Sequence, residues 1–101
     1  MALDFHRLSN NEYLFGIDDH KNNHLEEIYT EFKNWTGIYV DRYGDTNLTV
    51  DHQKLMIKII DSYIHKTDLN VNKQKTIDII EFRALMDYFS DKGIDLKMVG
   101  D

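Results

Sequence analysis

Apolar residues recur at helical spacing from Leu55 to Ile64 and again from Ile77 to Phe89. In the first run Leu55, Met56, Ile57, Ile59, Ile60, Tyr63 and Ile64 cover more than half of a helix circumference, leaving Lys58, Asp61, Ser62 and His65 for solvent. A helix of that kind must be covered on two sides. In the second run Ile77, Ile79, Ile80, Phe82, Leu85, Met86 and Phe89 are spread as widely. The flanking residues set the limits. Thr49 can accept hydrogen bonds from free amides, with Asp51 in the first turn, which predicts a helix to about Lys66. The other is predicted from near Asn72 to Lys92, with Gly93 as terminator.

An earlier helix is predicted to start between Asp19 and Asn23 and to end near Gly37. Leu25, Ile28, Tyr29, Phe32 and Trp35 recur on one side of it, while Glu27, Glu31 and Asn34 point the other way. Trp35 reads as a core anchor ahead of a binding residue. Glu26 and Glu27 sit near the positive end of the helix dipole, which stabilises carboxylates whatever else they do.

Three stretches read as extended. Tyr13 to Ile17 is short, aromatic and apolar between turn residues. Ile38-Tyr39-Val40 has strand character, followed by a turn-rich loop from Asp41 through Arg42 to Asn47. Ile94, Leu96 and Met98 alternate with polar neighbours at the close. A lone strand leaves its backbone unpaired, so the closing run needs the Tyr13 or the Ile38 segment beside it. The expected fold is α+β and predominantly helical, with three main helices packed on a small sheet of short strands near both chain ends. The alternative is an all-α domain with extended ends.

A chain of 101 residues makes one domain with one core. It has no cysteine, which removes disulfides, thiolate metal sites and a cysteine nucleophile. Asp4 stands where a secretory signal would be basic, and no apolar stretch reaches membrane-span length, so a cytoplasmic, soluble protein is expected.

Charge divides the chain. Through Asp51 there are ten carboxylates against four bases, while from His52 onward eight meet eight, so the whole net charge of −6 lies in the first half. Phosphate contacts need basic side chains, which argues against direct binding of nucleic acid or an anionic membrane and favours a basic protein partner. The plainer reading is that acidity serves solubility. If there is a binding face, Asp18, Asp19, Glu27 and Glu31 together with Tyr39, Asp41, Tyr43 and Asp45 are expected to supply it. Tyrosines among carboxylates can pair and stack with arginine or lysine.

Catalytic and metal chemistry find little footing. His20 and His24 are spaced to share one side of a helix, with Asp18, Asp19 or Glu27 nearby, but no His-Glu-x-x-His pattern or further ligand completes a zinc set, and no metal or cofactor is expected. Asp68-Leu69-Asn70-Val71-Asn72 opens like a calcium loop, yet Lys73 and Ile79 occupy the glycine and glutamate positions, which leaves cap and turn roles. Ser9, Ser62 and Ser90 lack a nucleophile-elbow setting and no glycine-rich phosphate loop occurs, so no catalytic residue is assigned and the chain reads as a non-enzyme. Glu81 projects between Ile77 and Leu85 and is expected at the core edge, reaching for a lysine or arginine.

Leu-Asp-Phe-His-Arg-Leu at Leu3 to Leu8, Tyr-Leu-Phe-Gly-Ile-Asp at Tyr13 to Asp18, Trp-Thr-Gly-Ile at Trp35 to Ile38, and the closing Ile-Asp-Leu-Lys-Met-Val-Gly-Asp give this chain its look. It resembles the small bacterial immunity proteins that accompany polymorphic toxins, including those of contact-dependent growth inhibition. The resemblance spans the chain in look, size and acidity, and these families share no diagnostic motif, so it transfers no residue role. It implies a cytoplasmic protein without catalysis that binds one cognate toxin domain, often a nuclease, and blocks it. Two other readings stay beside it: a regulatory or adaptor module for another basic protein, and a small metal-binding protein using His20 and His24.

Overall fold

The computed structural model describes residues 2–41 and 43–100; Arg42 of the predicted loop and the closing Asp101 lie outside them. The elements run β1 (Leu3–Arg7), β2 (Tyr13–Ile17), α1 (Asp19–His24), α2 (Glu26–Thr36), β3 (Asp45–Leu48), α3 (Val50–Lys66), α4 (Lys73–Asp91) and β4 (Leu96–Gly100). The strands form one antiparallel sheet in the order β2-β1-β4-β3, with Phe5 opposite Met98 where the two ends of the chain meet. The fold is α+β with helices on a small sheet. Leu3 and Phe5 alternate with Asp4 and His6, which buries one face of β1 and leaves the other polar.

Two of the predicted segments need correction. Ile38-Tyr39-Val40 is not a strand; β3 forms from Asp45 to Leu48, taking in the last three residues of the stretch predicted as loop. Asp and Asn are poor strand formers, but Thr46 and Leu48 point into the core and pair with Met98 and Leu96 of β4, and that burial overrides propensity. Ile38 to Val40 instead drops Val40 into the core and leaves Tyr39 outside. The single early helix is in fact two, broken at Leu25 (φ −93°, ψ 0°). Helix α1 packs on α4 whereas α2 packs on α3, and one straight helix could not serve both. Asn22 fixes the break from inside: its amide donates to the Ile17 carbonyl at 3.1 Å and its Oδ1 accepts from the Tyr29 hydroxyl at 3.0 Å.

Ends that depend on local chemistry lie where the residues indicate. Asp18 accepts from the Lys21 amide at 2.9 Å, Thr49 from His52 at 3.4 Å and Asn72 from Lys75 at 3.0 Å, each capping the helix that follows. Gly37 closes α2 at φ +76°. Behind the sheet Phe5 stacks on Phe15 at 4.4 Å and Phe15 on Phe89 at 5.6 Å, with Phe82 edge-on to Phe5 and Tyr29. Buried Gln53 donates to the Leu48 and Ile94 carbonyls at 3.0 and 2.8 Å, joining the entry of α3 to the entry of β4.

The wide apolar arcs are not covered all round. Met56, Ile59, Ile60, Ile79, Phe82 and Met86 are buried, yet Ile77 and Ile80 on α4 stay about half exposed. Among the described residues no helix is long and apolar enough to cross a membrane.

Candidate partner-binding groove

Glu27, Glu31 and Trp35 follow one another at intervals of four along α2, and so form a row that flanks the buried Ile28 and Phe32. That row is one wall of a groove of about 410 Å³. Helix α3 supplies the other, through Ile59, Ser62, Tyr63 and Lys66, while Glu26 and Thr30 close the α2 side. Trp35 was expected in the core and is not: 52% of it is exposed, at the open edge of the groove. Phe32 takes the buried place on α2.

Charge in the groove is mixed. Glu27 Oε1 accepts from Lys75 Nζ of α4 at 2.6 Å, a hydrogen bond that raises the lysine's pKa. The same ammonium lies 5.6 Å from the centre of the Tyr63 ring. Glu27 is therefore already partnered from within the chain. Glu31 is exposed and makes no ion pair among the described residues. A smaller hollow of about 150 Å³ adjoins the groove, sharing Glu26 and Thr30 and bounded by Tyr39, whose ring lies 5.4 Å from Lys33 Nζ.

Of the expected face, then, Glu27, Glu31 and Tyr39 come together around the outer side of α2. The remaining five residues do not line either hollow. Asp18 is the cap of α1, and Asp19 is its first residue. Asp41 organises the loop before β3: its Oδ1 accepts from the Tyr43 amide at 2.8 Å. Tyr43 is exposed in that loop, and Asp45 pairs with Lys97 across β3 and β4 at 3.5 Å. Trp35, Tyr63 and Lys66 are the groove residues that sequence reasoning missed. The four-residue interval from Glu27 through Glu31 to Trp35 was the available signal; the opposite wall from α3 had none.

Other charged residues serve the scaffold. The His20 and His24 rings are 4.6 Å apart, but His24 Nδ1 lies 2.6 Å from Asp78 Oδ2 of α4, and among the described residues no group of three or more histidines and carboxylates could hold a metal. Glu81 reaches Lys21 at 3.2 Å, the core-edge role expected of it. Asp68 closes a turn onto the Asn70 amide at 3.0 Å. Comparison with models of known families, with curated proteins and with solved structures finds no significant match.

Proposed function

We propose that this chain is a cytoplasmic immunity protein that binds and neutralises a cognate bacterial toxin domain, a nuclease in the favoured case, without catalysis of its own. One observation carries the reading: a half-exposed tryptophan at the rim of a groove whose near wall bears Glu31. An exposed tryptophan is costly to leave in water, at about 25 cal/mol per Å² of apolar surface, and an arginine or lysine of a partner can lie on its ring while pairing with the carboxylate. Nuclease grooves are basic because they hold phosphate, and a net charge of −6 steers this chain toward such a field. Charge brings the partners together, and Trp35 with Tyr39 and Tyr63 gives the contact its hold.

The test is co-purification with the proteins encoded by the genes beside this chain's own, among which a toxin domain is expected, followed by affinity measurements on Glu31→Lys and Trp35→Ala. Each substitution is expected to weaken binding roughly 10- to 100-fold while leaving the melting temperature within a few degrees. Glu31→Lys is also expected to flatten the dependence of affinity on salt. Unchanged affinity in both variants would reject the groove as the interface. Capture of a basic protein that is not a toxin would turn the reading to an adaptor.

A further inference from the structure

Helix α4 has apolar residues on opposite sides, and the fold uses only one of them. Ile79, Phe82, Met86 and Phe89 fill the core. Helix α1 covers one flank through His24–Asp78 and Lys21–Glu81, and α3 meets the other through the two-pronged contact of Arg83 with Asp61 at 2.7 and 3.2 Å. The row Lys73, Ile77, Ile80, Ala84, Tyr88 and Asp91 faces outward. Its three large apolar members are 48, 47 and 55% exposed in chain order, and their steps of three and four residues make a continuous seam. None of them lines the groove between α2 and α3.

We propose that this row is the contact between two copies of the chain, packed as an antiparallel pair of α4 helices about a twofold axis. The row is complementary to itself in charge and in size. Its amino end carries Lys73 and its carboxy end Asp91, so an antiparallel pair sets each Lys73 beside Asp91 of the second copy, and does so twice; a parallel pair would set like charges together. In the same register Ile80 meets Ala84 of the second copy and Ile77 meets Tyr88, large against small at the centre, which lets two helices approach to about 8–10 Å. Lys92 lies 5.8 Å from the centre of the Tyr88 ring, beside the seam, and shields the ring's flank. The seam is one helix long, about 28 Å for its 19 residues. A seam one helix long makes a small interface, so the dimer is expected to be weak, dissociating in the micromolar range.

Sedimentation equilibrium on the full chain, from roughly 10 to 500 µM, tests this. The wild type is expected to pass from monomer to dimer across that range. Lys73→Asp and Asp91→Lys are each expected to weaken association at least 10-fold, and the two together to restore it to within about threefold, because the pair is re-formed with its signs exchanged. Ile80→Glu is expected to leave only monomer, with its helical circular dichroism and melting temperature unchanged to show that it folds. A wild type that stays monomeric throughout, a double variant that fails to recover, or a dimer that survives Ile80→Glu overturns the proposal.

Discussion

Asp61 and Arg83 show how far one side chain can be followed. The carboxylate takes both arms of the guanidinium, and that hydrogen bonding holds its pKa below the ordinary carboxylate value while raising that of the arginine. Because the folded-state value is the depressed one, the contribution to stability is complete above the normal carboxylate pKa of about 4 and fades as pH falls through the folded one. Asp61→Asn is therefore expected to flatten the acid limb of a melting-temperature profile below about pH 4 and to change little at neutral pH, where an exposed pair is worth under about 1 kcal/mol. An acid limb identical to wild type would show that the pair does not report on folding. At this scale the sequence was legible where a residue acts on its neighbours: Asp18, Thr49, Asn72 and Gly37 bond within a turn of themselves, and their roles followed from type and place. It was opaque where a partner came from far along the chain. Nothing near Glu27 announces Lys75, 48 residues away.

Helix α1 is the element held most by a single contact. Six residues long, it could not persist alone, and its attachment to α4 centres on Asp78, which is 3% exposed and takes His24 Nδ1 at 2.6 Å and the Gln74 amide at 3.1 Å. Asp78→Ala removes the acceptor shared by half-buried His24 and exposed Gln74, and is expected to lower the unfolding free energy by about 1–3 kcal/mol in urea titration. Hydrogen exchange in that variant is expected to rise first in α1; a loss spread evenly over the molecule would contradict the attachment. Element boundaries were readable for α3 and α4, whose apolar spacing runs for many residues between clear caps. The division of α1 from α2 was not, because Leu25 keeps the helical spacing while the buried Asn22 turns the chain. Nor was β3, whose four residues look like loop until Thr46 and Leu48 find β4.

Across the whole molecule, the imbalance of charge between the two halves proved a poorer guide than the fold. Glu12, Glu27 and Asp45 are each met by Arg7, Lys75 and Lys97, and Asp18 is occupied in capping α1, so the surplus acidity does not gather into one open face. What the fold does gather is narrower. Glu31 and Trp35 stand on α2 opposite Tyr63 and Lys66 of α3, with Tyr39 adjoining, and α4 presents its uncovered row through residues that do not line the groove. The two surfaces share no residue.

Trp35 is the chain's single tryptophan and stands at the rim of that groove, which makes it a reporter that needs no engineering. The most direct measurement is the fluorine NMR spectrum of the protein carrying 5-fluorotryptophan, recorded while the unlabelled toxin domain of the proposed complex, identified by co-purification, is titrated in. Occupation of the groove is expected to shift or broaden the one resonance in proportion to complex formed, with solvent access to the ring lost at saturation. A resonance that stays sharp, unmoved and open to solvent while the toxin is bound would place the interface elsewhere.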